Sequence, residues 1–196
     1  MEFEEAARQS GLIPPERLAP LVSSLKKAPD FSWVLTAPHP TQSRLQGDLV
    51  GEIPVAVVDP SGQAKCNPFT VVVLNNTCDL QPGRSNFVTV APVMDFASFS
   101  EFEIRRRGRE RAENYLQDVK ANKVFEILWL PAVGAFKAGA LVFLDRVGAV
   151  ASGLYESALN ENRRVASFSQ SGFYFLLIKV TRYLARPESE EVVRQN

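Results

Sequence analysis

The sequence predicts a mainly β fold: a small antiparallel sheet or barrel with helices before it, inserted in it and after it. Three observations predict this. Short apolar and β-branched runs recur between turn signals, as at Asp48 to Val58, Phe69 to Leu74 and Phe87 to Val90, the spacing of a small antiparallel sheet. Outside those runs, apolar residues fall at helical spacing, first at Leu18, Leu21, Val22 and Leu25 and again after residue 110. The chain has 196 residues, 45% of them hydrophobic, enough for one well-packed domain with appendages.

Residues 1–40 read as a helical N-terminal extension. Pro14 and Pro15 suit a helix start, where a missing N–H does no harm. Pro29 and the group Pro38-His39-Pro40 end the helix and mark a linker. Residues 41–187 form the barrel domain, and residues 188–196 a polar tail. Within the domain, Asp59-Pro60-Ser61-Gly62 closes the first strand with a turn. The run Val71-Val72-Val73-Leu74 is almost purely apolar and breaks into Asn75-Asn76-Thr77-Cys78-Asp79, with a Pro-Gly turn at Pro82-Gly83. An apolar strand that delivers polar side chains to its own end is how a scaffold presents a site.

A helical insertion is expected at about 95–123, because Ala112, Tyr115, Leu116 and Val119 share one face of IRRRGRERAENYLQDVKANK. Strands resume at Val124–Leu130 and Ala140–Leu144, and a further extended piece at Arg163–Phe168 leads into a last helix. That helix carries Phe173, Leu176, Leu177, Val180 and Leu184 on one face, with Ser171 as N-cap and Pro187 as its stop.

Charge narrows the function classes. Lys and Arg number 22 against 22 Asp and Glu, which argues against a general nucleic-acid coat protein but leaves room for a local basic patch. No apolar run approaches the roughly 20 residues of a membrane span. The start MEFEEAARQSG is acidic and lacks an apolar core, so no secretory leader and no membrane partner are expected. The two cysteines, Cys66 and Cys78, fit a reduced cytoplasmic chain. No Cys/His cluster has zinc spacing, and no Gly-rich phosphate loop appears, so neither metal nor cofactor is expected.

The candidate site residues each carry two readings. Cys78 beside Asp79 is a nucleophile or a small packed residue, and a Cys–His pair would have to use His39, the one histidine. Asp79 is a base or ligand group, or the acceptor of an Asx turn. Asn75, Asn76 and Thr77 either tie down the loop or bind a partner's polar edges. Arg84 follows the turn, and its planar fork suits phosphate or carboxylate. Arg105-Arg106-Arg107, with Arg109 and Arg111, form the densest basic patch, diluted by Glu101, Glu103, Glu110 and Glu113. It is either a nucleic-acid backbone contact or a helix laced with acid–base pairs.

The order of motifs carries a resemblance. Gln46-Gly47-Asp48-Leu49-Val50 resembles the opening G-D-[IV]-[VW] strand of the MazF/PemK family, small bacterial endoribonuclease toxins. Asn67-Pro68 with the strand to Leu74 is similar to that family's R-P-x-V-V-L segment, and Val88 to Val93 to its v-x-V-x-P-[IV] strand. Leu141 to Val150 is similar to its later strand-plus-turn, and Arg163 to Phe168 to its closing element. The NNTCDL cluster and the insertion resemble a larger branch of the family with a C-D-[IL] signature. The resemblance implies a strongly bent, SH3-like antiparallel barrel with helices packed outside.

It also implies contact with nucleic acid, RNA before DNA, in a toxin–antitoxin or phage-defence setting. If the chain is an enzyme, the implied activity is metal-independent endoribonuclease. Two positions depart from the family: Asn67 stands where the toxins have Arg, and Met94 where a Thr or Ser follows the P-[IV] pair. Phosphoryl transfer without a metal needs a cation on the phosphate and a base for the 2′-hydroxyl. Arg84 and Asp79 are the nearest substitutes, with Cys78 as a further candidate. The alternative is a non-catalytic module whose barrel groove binds a partner peptide, since the toxins carry such grooves for their antitoxins. A thiol enzyme using Cys78 is a third reading. A homodimer stays open, with Trp129 and Phe136 in a dimer face or in the core.

Overall fold

The computed structural model describes residues 5, 7, 8, 11–27, 30–40 and 43–184. Helix α1 (Pro15–Lys27) is followed by the short strand β1 (Leu35–Thr36), then β2 (Leu49–Val58), β3 (Ala64–Val73) and β4 (Phe87–Asp95). Helices α2 (Phe96–Arg107) and α3 (Arg109–Lys120) form the insertion. Strands β5 (Ile127–Leu130), β6 (Ala140–Phe143) and β7 (Gly148–Ala151), helix α4 (Ser152–Asn160), strand β8 (Arg164–Phe168) and helix α5 (Gln170–Leu184) complete the order. The polar tail 188–196 and the breaks at Pro29 and Pro187 lie outside the described residues.

All strand pairings are antiparallel, in the order β1-β8-β2-β3-β4-β6-β5, with β7 also on β4. The end strands β1 and β5 are not paired with each other, so this eight-stranded sheet is open. The fold is therefore a mixed one, an antiparallel sheet with five α-helices among the described residues. β4 is its organiser. One of its edges pairs with β3, while the other is divided between β7 at Phe87–Val90 and β6 at Val93–Asp95. A bulge between Val50 and Ile53, with Glu52 at φ 56°, bends β2.

The apolar run at the end of β3 has a direct cause. Val71 and Val73 face one cluster, closed by α4 through Tyr155, Ala158 and Leu159. Val72 faces the other, with Leu49, Val93, Leu128 and Val142, beneath Phe175 and Leu176 of α5. A strand covered on both faces has no polar alternation to show. Helices α2 and α3 cover Ile127, Leu141 and Phe143 with Phe99, Leu116 and Val119. Leu21 of α1 meets Ile178 of α5.

Several expectations need correction. The insertion is two helices rather than one, because Gly108 adopts φ 78° and ψ 154° and ends α2 with its N–H on the Ile104 carbonyl. The N-cap of α5 is supplied by Ser169, whose Oγ accepts the Gly172 N–H at 2.9 Å, and not by Ser171. β3 starts at Ala64, five residues before Phe69, since its first half is an exposed hairpin arm without apolar alternation. β7 and α4 are additions, and β1 brings part of the N-terminal segment into the sheet.

The hairpin arm is built against edge pairing. Pro54 and Pro68 are opposite one another in the β2–β3 register. Neither has an N–H, so this must be a non-hydrogen-bonded pair whose backbone groups point to the two outer edges. Both edges therefore lack a donor there, which blunts them against a further strand.

Lys179, 5% exposed, pins the exit of the insertion to α5. Its Nζ donates to the Asn122 carbonyl at 2.8 Å and also to the Val124 carbonyl. Burial, helped by the Arg182 charge and opposed by Glu126, pulls its ammonium down to about 7. Unfolding restores an ordinary lysine, so between pH 7 and pH 10 the unfolded chain holds a proton the folded chain does not. Stability must then rise with pH. Urea unfolding should show a gain on the order of 2 kcal/mol from pH 7 to 9.5. Lys179→Met should remove that slope, and an unchanged slope would refute the assignment. Tyr155, pushed up to about 12 first by burial, works in the opposite sense only above about pH 10.

Candidate functional site

Three surfaces collect the chemistry-bearing residues. The first is the loop after β3. Asn75 Oδ1 accepts the Thr89 N–H, which locks the loop to β4. Asn76 Oδ1 accepts the Cys78 N–H at 2.9 Å, so the Asx turn belongs to Asn76 rather than to Asp79. Thr77 Oγ1 accepts the Gln46 N–H at 3.1 Å, while Gln46 Nε2 donates to the Leu74 carbonyl at 2.8 Å. The side chains of Asn75, Asn76 and Thr77 thus already serve the loop. Cys78, Asp79 and Arg84 are exposed. No ion pair joins Asp79 to Arg84 among the described residues, and both cysteines are free thiols.

Beside this loop lies a cleft of about 460 Å³, lined by His39, Leu45, Gln46, Thr77, Phe168, Gln170 and Phe173 among others. It brings the single histidine to Thr77 but does not include Cys78. Its floor is fixed by a buried polar cluster. Asp48, fully buried, accepts from Ser167 Oγ at 2.7 Å and from the Leu45 N–H at 3.1 Å, and pairs with Arg164 Nε at 3.2 Å. Arg164 Nη1 also donates to the His39 and Pro40 carbonyls, and Nη2 to the Ser43 carbonyl. Burial pushes the Asp48 carboxyl up, against the Ser167 hydroxyl and the Arg164 charge.

The second surface is a groove of about 370 Å³ over the outer part of β2, β3, β4 and β6. Val55, Val57, Phe69, Pro92 and Met94 line it, and among the described residues Arg146 is its one charged lining residue. Val57, Val58 and Val147 are 46%, 66% and 44% exposed. Arg146 lies with its guanidinium 4.2 Å from the Phe143 ring centre and pairs with Asp145 at 3.7 Å. Sequence reasoning passed over Arg146, because nothing local marks it. Its neighbourhood is made by β2 and β4, distant in sequence.

The third surface is the arginine corner of α2 and α3. Arg106 (2.9 Å) and Arg107 converge on Glu103, which is 2% exposed. Burial pushes the Glu103 carboxyl up, but the hydrogen bonds from both arginines outweigh it and hold it below the ordinary range. Arg107 also lies 4.1 Å from the Tyr115 ring centre. Arg105, Arg109 and Arg111 are exposed, as is Phe102 at 54%, whose ring centre lies 5.8 Å from the Arg106 guanidinium. Trp129 and Phe136 are partly buried against the core clusters.

No helix among the described residues is long and apolar enough to cross a membrane, and no group of three or more His, Cys, Asp or Glu side chains among them could hold a metal ion. In comparisons with known proteins, no protein-family model and no curated protein matches the sequence.

Proposed function

We propose that this chain is a MazF/PemK-like protein that works by binding, without the family's ribonuclease chemistry. Its groove takes an extended apolar segment of a partner protein that carries an acidic residue for Arg146. One observation supports this above the others: Asn67 and Met94 stand where the resemblance places the family's Arg and hydroxyl, and the groove that Met94 lines is apolar apart from Arg146. Apolar lining binds side chains and does not stabilise a developing phosphate charge. The prolines on the hairpin edges favour side-chain docking over strand addition. A strongly bent SH3-like barrel belongs to this reading, and the division of one β4 edge between β6 and β7 supports it. The partner is then an antitoxin-like protein or another component of a phage-defence pair.

The purified protein is expected to leave mixed-sequence RNA intact without added metal. A displayed library of extended peptides should yield apolar binders with an acidic residue. Met94→Glu should weaken them about tenfold or more, a loss of about 1.4 kcal/mol, with the fold retained by circular dichroism although Met94 is half-buried against the Phe99 and Phe143 cluster. RNA cleavage, or peptide binding indifferent to Met94→Glu, refutes the reading.

A second reading, nucleic-acid contact, is favoured by the exposed Arg105, Arg109 and Arg111 on the helical insertion that also exposes the Phe102 ring. Arg105→Ala/Arg109→Ala/Arg111→Ala tests it in salt-dependent binding to a single-stranded oligonucleotide. Arg106 and Arg107 are left in place because they neutralise the buried Glu103.

A further inference from the structure

We propose that the cleft between the loop after β3 and the start of α5 is a small-molecule site for a neutral, planar heterocycle of the nucleobase class, with donors and acceptors on its edge. Its volume of about 460 Å³ is in the range of small-molecule sites. Phe168, Phe173 and Leu45 supply flat apolar wall, against which a ring can stack. His39 and Gln170 supply the polar contacts. Neither the His39 ring nor the Gln170 amide makes a hydrogen bond within the described residues. Each group can both donate and accept a hydrogen bond, as the edge of a heterocycle does. Thr77 Oγ1 accepts from the Gln46 N–H, and its own O–H is left to donate.

Charge selects the ligand class. Among the described residues no Asp, Glu, Lys or Arg lines the cleft, so they offer nothing permanent to neutralise a phosphate or carboxylate, and no ligand set for a cation. The recognised part is therefore an uncharged ring. The walls are set before any ligand arrives. Ser169 Oγ donates to the Trp33 carbonyl at 2.7 Å, the His39 N–H reaches Ser167 Oγ at 3.2 Å, and the Gln46 side chain holds the loop. A preformed cleft loses little conformational freedom on binding. The site lies apart from the groove at Met94, and shares no lining residue with it.

The test is an NMR titration of the full chain with uridine, cytidine, adenosine and guanosine, and with ribose as control. Saturable shifts of the Gln46, Thr77, Gln170 and Phe173 amides are expected with at least one nucleoside and none with ribose. His39→Ala and Gln170→Ala, both exposed positions, should each weaken binding about fivefold or more, with melting temperatures unchanged. A pentanucleotide bound about tenfold tighter than the nucleoside identifies the base as part of a strand. Equal affinity identifies a free base or nucleoside, and either result supports the site. Absence of saturable shifts with all four nucleosides overturns the proposal, as does binding that both variants leave unaltered.

Discussion

Arg164→Met is expected to destabilise the fold by about 3–5 kcal/mol, the range for removing one partner of a buried ion pair. Arg164 is 7% exposed and Asp48 fully buried. With Arg164 gone, the Asp48 carboxylate keeps the Ser167 hydroxyl and the Leu45 N–H but loses its counter-charge. The carbonyls of His39 and Ser43 lose their donor as well, while the Pro40 carbonyl keeps the Ser43 N–H at 2.9 Å, and part-buried acceptors without a partner are costly. The double variant Asp48→Asn/Arg164→Met should recover part of the loss, because the stranded charge disappears. It should not recover all, since the His39 and Ser43 carbonyls still lack the Arg164 donor. Urea midpoints at constant m-value measure this, and strictly additive losses would show that the two side chains are not coupled.

The pH dependence of the single variant has a defined sign. Without Arg164, burial raises the Asp48 carboxyl further above its unfolded value, so the folded variant takes up a proton more readily. The deficit relative to wild type should therefore shrink as pH falls from neutrality. A deficit that grows toward acid would contradict this origin.

Gly172→Ala should cost more than about 2 kcal/mol, although Gly→Ala inside a helix ordinarily stabilises by up to about 1 kcal/mol. A Cβ at Gly172 would lie 2.0 Å from the Val34 carbonyl oxygen and 2.8 Å from its carbon. Those are backbone atoms, so no rotamer change relieves the clash. The same carbonyl accepts the Ser169 N–H at 2.9 Å, which ties the start of α5 to the chain just before β1. Helix α5 would have to move away, opening the cluster of Val34, Phe175 and Leu176. Gly153→Ala in α4 is the control, for nothing lies within 4 Å of its Cβ. It should be neutral or stabilising. Equal effects at both positions would refute the packing argument.

Much of the fold was legible because it is encoded locally. The helical spacing of Leu18, Leu21, Val22 and Leu25 gives α1, and the apolar run from Val71 gives the strand that both core clusters share. Helix α4 was missed: SGLYESALN is short, starts without a side-chain cap and buries only Tyr155, Ala158 and Leu159. The outer half of β3 was missed because an exposed hairpin arm carries no burial pattern. The Gly108 break was overlooked because the periodicity of Ala112, Leu116 and Val119 begins only after it.

The candidate site was legible in part. The polar cluster after β3 stood out in the sequence, yet its role in tying Gln46 and β4 together depends on partners 14 and 31 residues away. His39 looked like part of a linker, and only the fold carries it to Thr77 and Gln170.

By itself, the sequence determined where most of the strands and helices lie, and that charge is balanced. Periodicity and residue type are properties of neighbours along the chain. The tertiary structure alone decided that the sheet is open, that Arg164 closes over Asp48, that Met94 meets Arg146 in an apolar groove, and that the polar loop after β3 walls a cleft with His39. Each of these joins segments that meet only after β4 has paired with β3, β6 and β7, and β8 with β1 and β2, and a contact through space leaves no period in the sequence.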